Sequence, residues 1–265
     1  SLMKSIKNSK VYKILSIAGS DSSAGAGIQA DIKTVKSLGG YCLTAVSMIT
    51  SQNTKEVTDT YNIPTETVMS QIRTISEDFD YNAIKIGIIP TVNLAKELYS
   101  FFKNKKLPIV VDPVYKSTSG KKFIKKKDFI KIQKILNKIS TIVLPNIEEA
   151  EILANMKIST LEDLKVASRT ITQSNKNSIL IKGLIYRNKS IMDLLYENKS
   201  FYKFRYKKIY KREIHGTGCT LSSALAFYLG KGLGVKPSIK FSKKYLSKIT
   251  KKPLEFVLDN NPMKH

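Results

Sequence analysis

The amino-acid sequence predicts an α/β fold in three layers, with a mainly parallel central sheet between two layers of helices. Short apolar segments of strand length alternate along the chain with segments whose apolar residues recur at helical spacing. A length of 265 residues and a hydrophobic content of 42% are sufficient for one large core. We therefore expect a single domain over residues 1–265, with residues 1–12 as a flexible N-terminal segment.

The first strand–helix–strand unit lies close to the N-terminal end. The apolar run Lys13–Ala18 predicts a strand that ends at Gly19, and the small residues after it are typical of a turn and not of a strand or helix interior. Apolar residues at helical spacing predict a helix over Ile28–Leu38. The segment Tyr41–Ile49 is β-rich and mostly apolar, so we expect a strand that is buried on both faces.

The same alternation of strands and helices continues through the middle of the chain. Pro64 marks the start of the next helix. The further predicted strands are Ala83–Ile86, Pro108–Val111, Thr141–Leu144 and Ser178–Ile181. The further predicted helices are Thr91–Lys103, Lys126–Ile139, Ile147–Ala154 and Leu161–Thr172.

The C-terminal third begins with a change of pattern. Apolar and polar residues alternate over Ile191–Tyr210 with a break at Asn198, which predicts a hairpin at the sheet edge. Helices are predicted over Thr217–Leu229 and Ser238–Thr250. In a sheet built this way, ligands bind at the carboxyl ends of the parallel strands.

The formal net charge of +24 raises the alternative of a nucleic-acid-binding protein, because a dense basic face binds phosphates without sequence preference. Only five of the 45 basic residues are arginines, and the lysines are spread over every segment. We therefore predict a solvated, lysine-rich surface and no specific nucleic-acid partner.

The chain carries no signal for a membrane or an oxidising compartment. Its apolar runs are far shorter than a bilayer span, and the N-terminal residues lack the apolar segment of a secretory signal. Two cysteines, Cys42 and Cys219, do not make a disulfide framework in a chain of this size. We expect a cytoplasmic protein without a membrane partner.

A glycine-rich loop, residues 215–219, leads into the helix that begins at Thr217. Free backbone N–H groups and the helix dipole converge there, which suits an anionic phosphate, and Gly216 and Gly218 let it approach closely. Cys219 would feel the same positive potential, so we expect a lowered thiol pKa and a role as base or oriented acceptor. The alternative is a plain helix start with Cys219 as a small buried hydrophobe.

A second loop of small residues, from Gly19 to Gly27, follows the first strand. It is neither a GxGxxG fingerprint nor a P-loop. Backbone groups around Gly19 and the carboxylate of Asp31 could hold a polar ring or a hydroxyl group, and the amide of Gln52 could read a heteroaromatic ring. The alternative is a flexible turn with a solvated Asp31.

Polar residues also follow three later strands. Asn146 and Glu149 have the spacing of a capping box, and they could equally reach Mg²⁺ through water. Asp112 is a second carboxylate at a strand end, although it could belong to a turn. Lys182 could meet a phosphate or lie on the surface. The two histidines lack metal-ligand spacing, so no zinc site is predicted.

Six segments, taken in order, resemble the hydroxymethylpyrimidine and phosphomethylpyrimidine kinase family. They are residues 18–31, 52–54, 85–87, 111–114, 145–149 and 215–220. The resemblance implies a ribokinase-like fold, ATP and Mg²⁺ as cofactors, and a homodimer. It also implies phosphorylation of 4-amino-5-hydroxymethyl-2-methylpyrimidine and then of its monophosphate, in thiamine biosynthesis.

The resemblance also implies roles for individual residues. Contacts to the pyrimidine fall to Gly19, Asp31 and Gln52, with an apolar wall at Ile88, where the family usually has methionine. The metal and phosphates fall to Asp112, Asn146, Glu149 and Lys182. Phosphoryl transfer falls to Gly216, Thr217, Gly218 and Cys219. Some bacterial pyridoxal kinases resemble this family and carry the same cysteine, so pyridoxal kinase is the alternative.

Overall fold

The computed structural model describes residues 10–173, 176–186, 190–207 and 216–251. These residues form one sheet of nine strands in the order β3-β2-β1-β4-β5-β6-β7-β8-β9. In chain order the strands are β1 Lys13–Asp21, β2 Tyr41–Gln52, β3 Val57–Asn62, β4 Ala83–Ile86, β5 Ile109–Val111, β6 Ile142–Val143, β7 Ser178–Tyr186, β8 Ser190–Glu197 and β9 Ser200–Lys207.

The six central strands, from β2 to β7 in spatial order, are all parallel to one another. An antiparallel strand, β3, closes one edge, and the antiparallel pair β8 and β9 closes the other. The carboxyl ends of six parallel strands therefore meet at one side of the sheet. The predicted fold class, a mainly parallel sheet with helices on both faces, is confirmed.

Helices cover the two faces of the sheet. They are α1 Gly27–Ser37, α2 Thr65–Asp78, α3 Val92–Phe102, α4 Lys126–Asn137, α5 Ile147–Ala154, α6 Leu161–Thr172, α7 Thr217–Gly230 and α8 Val235–Thr250. Successive side chains of a strand point to opposite faces, so Ile14 packs with α1, α7 and α8 while Leu15 packs with the other helices. Within the described part of the chain, no helix is long and apolar enough to cross a membrane.

The strand ends differ from the prediction. β1 continues past Gly19 to Asp21, because a register shift after Ala18 keeps it paired with β2. β3 was not predicted: it is a polar edge strand with mostly exposed side chains, so its sequence lacks an apolar pattern. β2 is not buried on both faces at its ends, since Tyr41 is 54% and Ile49 is 46% exposed.

The C-terminal hairpin is confirmed. β8 and β9 pair through a two-residue turn at Asn198 and Lys199, both with positive φ, as a tight hairpin requires. Residues 208–215, which include His215, lie outside the described residues. Of the N-terminal segment predicted to be flexible, Tyr12 packs edge to face on Phe227, and residues 1–9 lie outside the description.

A buried ion pair connects the helix layer to the sheet. The Nζ atom of Lys85 in β4 lies 3.0 and 2.8 Å from the two carboxylate oxygens of Asp31 in α1, and both side chains are 1% exposed. Hydroxyl groups of Ser16 in β1 and Ser223 in α7 donate to the same carboxylate. Four elements therefore converge on one buried charge.

We expect Lys85→Met to destabilise the protein by about 3 to 5 kcal/mol, because it leaves a buried carboxylate without its counter-charge. The double variant Asp31→Leu/Lys85→Met should lose less stability than Lys85→Met alone, since no buried charge is left unpaired. Urea unfolding measures both. The matched control is Arg73→Ala, which breaks an ion pair with Glu66 whose side chains are 44% and 80% exposed. A loss for Lys85→Met as small as for Arg73→Ala would contradict the prediction.

Candidate active site

A cavity of about 1370 Å³ lies at the carboxyl ends of the parallel strands. The loop after β1, the end of β2, the residues after β4, β5 and β6, and the N-terminus of α7 all contribute to its walls. Every site residue predicted from the sequence lines this cavity except Asp31. They are Gly19, Gln52, Ile88, Asp112, Asn146, Glu149, Lys182, Gly216, Thr217, Gly218 and Cys219.

Backbone contact with the loop after β1 places the N-terminus of α7. Gly216 has a φ of 85°, and a Cβ atom there would lie 1.9 Å from the carbonyl oxygen of Gly25. No side chain fits this position, so glycine is required by close approach as well as by conformation. The first turn of α7, from Thr217 to Cys219, is thereby brought to the cavity wall.

Asp21 organises the loop that α7 touches. Its Oδ1 accepts hydrogen bonds from the Ser23 N–H at 2.9 Å and the Ser23 hydroxyl at 2.7 Å, and its Oδ2 accepts from the N–H groups of Gly25 at 3.1 Å and Ala26 at 2.8 Å. The sequence patterns did not single out Asp21. An aspartate followed by small residues is the signal for this kind of turn.

Asp31 is not among the residues that line the cavity, so its contact with the pyrimidine stays a prediction, whereas the alternative of a solvated side chain is wrong. It is 1% exposed, and Lys85 donates to both of its oxygens, while the Ser16 hydroxyl donates to Oδ2 and the Ser223 hydroxyl to Oδ1. The residue at the cavity is its partner, Lys85. Burial alone would lower the pKa of Lys85, but the charges of Asp31 and Asp112 raise it, which keeps the ammonium charged.

Cys219 lies in the first turn of α7, and its carbonyl oxygen accepts a hydrogen bond from the Ser223 hydroxyl at 2.7 Å. The expected lowering of its pKa is wrong. Burial raises the pKa of the Cys219 thiol to about 11, against the charge of Lys85 and a hydrogen bond from the Gly27 backbone. Loss of hydration outweighs the positive surroundings, so the sulfur is a neutral thiol at physiological pH.

Glu149 and Asn146 do form the predicted capping box. The Glu149 N–H donates to Asn146 Oδ1 at 2.8 Å, and the Asn146 N–H donates to Glu149 Oε1 at 3.0 Å. The other carboxylate oxygen accepts from the Tyr115 N–H at 3.2 Å. Burial, with a smaller contribution from the charge of Asp112, raises the pKa of Glu149 to about 7, against the backbone hydrogen bonds from Asn146 and Tyr115 and the charge of Lys182. The capping role and a place in the cavity coexist.

The donor set at this wall suits Mg²⁺. The described residues hold no cluster of three or more His, Cys, Asp and Glu side chains that could hold a metal by themselves. Mg²⁺, however, commonly takes one or two carboxylates and completes its shell with water and substrate phosphates. Asp112 and Glu149 supply two carboxylates whose mutual repulsion a cation would relieve.

Lys182 lies beside these carboxylates. Its Nζ is 3.9 Å from Asp112 Oδ1, and its side chain is 17% exposed. Its backbone N–H donates to the Pro145 carbonyl at 3.0 Å, which joins it to the segment after β6. Gly218 of α7 is the third neighbour, since a Cβ atom there would lie 3.8 Å from Lys182 Nζ. An ammonium group, a helix N-terminus and two carboxylates therefore share one end of the cavity.

The other end is less polar. The side chain of Ile88 is 7% exposed, and it leaves so little room that a Cβ atom at Gly19 would lie 2.8 Å from its Cγ2 atom. Gln52 is fixed by its backbone N–H, which donates to the Ser22 hydroxyl at 2.8 Å, and its Oε1 accepts from Thr50 at 3.2 Å. The cavity wall thus includes an apolar side chain and a held amide group, and these two kinds of contact fit a flat heteroaromatic ring.

Proteins named hydroxymethylpyrimidine/phosphomethylpyrimidine kinase are similar to this chain in sequence. A hydroxymethylpyrimidine/phosphomethylpyrimidine kinase from Aquifex aeolicus is 39% identical and covers 89% of this chain and 93% of its own length. One from Bacillus subtilis is 30% identical and covers 96% and 95%.

Solved structures show the same relationship. A pyridoxal kinase from Bacillus subtilis in complex with ADP superimposes with a TM-score of 0.86 at 30% identity, over 97% of this chain and 98% of that chain. A phosphomethylpyrimidine kinase from Clostridium difficile superimposes with a TM-score of 0.78 at 33% identity, over 89% and 98%. The family model described as phosphomethylpyrimidine kinase matches residues 21–264. The chain therefore belongs to the phosphomethylpyrimidine kinase family.

Proposed function

We propose that this protein transfers the γ-phosphoryl group of ATP to 4-amino-5-hydroxymethyl-2-methylpyrimidine and then phosphorylates the monophosphate, as steps of thiamine biosynthesis. One observation carries the proposal. A single cavity has an apolar wall and a held amide at one end, and a helix N-terminus with Lys182 at the other. In the first reaction the hydroxymethyl oxygen forms a bond to the γ-phosphorus, the bond from that phosphorus to the β-phosphate oxygen breaks, ADP leaves, and the hydroxyl proton passes to solvent.

The phosphate end supplies most of the catalysis in this proposal. The N–H groups at the start of α7 and the ammonium of Lys182 bind the phosphate oxygens, where negative charge is concentrated during transfer. Asp112, Asn146 and Glu149 would hold Mg²⁺, which, when bound with ATP, would neutralise charge on the phosphates. The protein's own groups thus align and screen the phosphates before the acceptor attacks.

Cys219 orients the acceptor hydroxyl. A thiol whose pKa is about 11 is a poor base at neutral pH. Phosphoryl transfer proceeds through a loose transition state and gains more from alignment than from early removal of the proton. The sulfur, at the same helix end as the phosphate-binding N–H groups, is suited to hold the hydroxyl in line. At the ring end, Gln52 and Ile88 set the plane of the pyrimidine and the backbone at Gly19 limits its depth.

Because pyridoxal kinases are similar to this chain, pyridoxal is a second acceptor to test, although no residue of the cavity favours it over the pyrimidine. Both rings are flat heteroaromatics with a hydroxymethyl group. A side-by-side assay of hydroxymethylpyrimidine, its monophosphate and pyridoxal with Mg-ATP distinguishes them. We expect both pyrimidines to be phosphorylated in preference to pyridoxal, and a preference for pyridoxal would overturn the proposal.

We propose that the protein is a homodimer and acts in the reducing cytoplasm with small-molecule substrates alone. Both cysteines are free, in keeping with a reducing compartment. On the outer strands, Ile49 and Tyr61 are direct cross-strand neighbours and are 46% and 60% exposed. Adjacent large apolar side chains on a sheet face are typical of a surface that a second copy covers.

The dimer proposal predicts that Ile49→Lys shifts the protein to monomers, because a charge on each copy would be buried at the contact. Analytical ultracentrifugation of the full chain measures the mass. Ile185→Lys is the control, since Ile185 is an equally apolar, 68% exposed residue on a different strand. Dissociation by the control but not by Ile49→Lys would place the contact elsewhere.

We expect Cys219→Ala to fold like the wild type and to lose about 10²-fold in kcat, since alignment of the acceptor is lost. Release of ADP with hydroxymethylpyrimidine, followed in a coupled assay, measures the rate. Cys219→Ser is the matched control, because its hydroxyl can still accept a hydrogen bond, and it should retain more activity than the alanine variant. Turnover like that of the wild type in Cys219→Ala would remove Cys219 from the site.

Glu149 predicts a pH dependence of stability in the nucleotide-free protein. Its pKa is raised from 4.5 to about 7 on folding, so between these values the folded state binds more protons than the unfolded state. The stabilisation is present below pH 4.5 and is lost as the pH rises through 7, by about 3 kcal/mol in total. Urea unfolding from pH 5 to 8 should show the loss in wild type and not in Glu149→Gln.

The adjacent residue provides the control for this prediction. Glu148 forms an exposed ion pair with Lys116, so Glu148→Gln should keep the wild-type slope. The same slope in Glu149→Gln as in the wild type would show that another group is responsible.

A further inference from the structure

Asp193 in β8 is a buried carboxylate to which the proposed reaction assigns no role. It is 1% exposed, and it lies at the wall of the cavity with residues of β9 and α8. A buried charge is costly unless several groups compensate it. Asp193 has three such partners, and each of them belongs to a different part of the cavity wall.

The first partner is a bulge in β7. The pairing of β7 with β8 shifts register between Ile181 and Leu184, so that Lys182 and Gly183 together lie opposite the single residue Asp193. Gly183 has a φ of 97°, a conformation that favours glycine, and its N–H donates to Asp193 Oδ1 at 2.9 Å. A side-chain carboxylate thus replaces the missing strand partner at this point.

The bulge matters because of the residue beside it. Bulges commonly re-aim a side chain next to an active site. Here the residue before Gly183 is Lys182, whose Nζ lies 3.9 Å from Asp112 Oδ1 and beside the first turn of α7. The direction of this ammonium group therefore depends on a backbone conformation that Asp193 stabilises.

The other two partners come from the opposite side. The hydroxyl of Tyr206 in β9 donates to Asp193 Oδ1 at 3.1 Å, and Lys243 of α8 forms an ion pair with Oδ2. The Nζ atom of Lys243 also lies 4.5 Å from the centre of the Tyr206 ring. Burial and the charge of Asp193 raise the pKa of Tyr206, so its proton stays available for this hydrogen bond.

We propose that Asp193 is a positioning residue for phosphoryl transfer, whose carboxylate holds the bulge that directs Lys182 to the phosphates and links that bulge to the wall formed by β9 and α8. Asp193 touches neither substrate in this role. It acts through Lys182 on groups beyond the α-phosphate. The inference rests on the kinase reaction proposed above only in that Lys182 binds nucleotide phosphates.

Nucleotide binding without an acceptor tests the proposal, so the result does not depend on which ring is phosphorylated. Isothermal titration with Mg²⁺ and the non-hydrolysable ATP analogue AMP-PCP measures the Kd, and AMP measures the same pocket without the outer phosphates. We expect Asp193→Ala to weaken AMP-PCP binding about tenfold, on the order of one lost charge-assisted contact, and to change AMP binding less than about twofold. Equal weakening of both ligands would indicate a general disturbance of the pocket and would overturn the proposal.

A double-mutant cycle adds an independent criterion. If Asp193 acts through Lys182, Asp193→Ala should have little further effect, less than about twofold, in a Lys182→Ala background. Losses that multiply in the double variant would mean that the two residues act separately, against the proposal.

A conservative variant keeps the test informative if Asp193→Ala fails to fold. Asp193→Asn retains an oxygen for the Gly183 N–H, so it should recover most of the AMP-PCP affinity although it loses the charge that Lys243 pairs with. Thermal melting checks the folding of each variant. Affinity as low in a folded Asp193→Asn as in Lys182→Ala would show that the bulge is not held by this hydrogen bond.

Discussion

The buried ion pair between Lys85 and Asp31 is the constraint on which the arrangement of the site depends. An ion pair removed from water is stable only with good geometry and additional hydrogen bonds. Here those bonds come from Ser16 in β1 and Ser223 in α7, so the charge is satisfied only when α1, α7 and two central strands are all in place. Ser223 also binds the carbonyl of Cys219. The first turn of α7 is consequently connected to the buried ion pair through Ser223, and Gly216 holds it against the loop after β1.

This constraint sets the electrostatics of the cavity. Lys85 and Lys182 bring positive charge towards the phosphate end, and the carboxylates of Asp112 and Glu149 lie close enough to interact with each other. Burial prevents the groups from relaxing into water, which is why Glu149 and Cys219 both shift towards their neutral forms. A site of this kind is incomplete without its ligand. Bound phosphates and a divalent cation would restore the charge balance that burial opposes, and ligand binding is thereby coupled to the ionisation of Glu149.

Much of the fold could be predicted because its local patterns agree with the tertiary structure. The strand at Ala83–Ile86 and the helices at Ile147–Ala154 and Leu161–Thr172 have the predicted limits, since apolar periodicity and capping residues both mark their ends. β3 was missed because an edge strand exposed to solvent needs no apolar pattern.

The site was harder to predict where a residue depends on a distant partner. Nothing near Asp31 in sequence reveals that Lys85, 54 positions later, removes it from solvent. The lowered pKa expected for Cys219 considered only the helix end, whereas the depth of burial is a property of the folded chain. A signal for both Lys85 and Asp193 does exist. Lys85 is the one charge of an apolar strand, and Asp193 is flanked by two apolar residues on each side in β8; such residues need buried partners.

The two ends of the cavity are held by different means, and this separates the reaction from the choice of acceptor. At the phosphate end, Lys182 and the first turn of α7 are fixed by a bulge, a glycine contact and two buried carboxylates, so a change there affects transfer to any acceptor. At the ring end, Ile88 and Gln52 offer one apolar surface and one amide. An apolar contact that differs by about one methylene discriminates between ligands by only about 1 to 3 kcal/mol. A small number of substitutions at the ring end would therefore be enough to alter acceptor preference, while the phosphoryl-transfer machinery stays intact. This is consistent with a single fold that is shared by relatives named for pyrimidine and for pyridoxal phosphorylation.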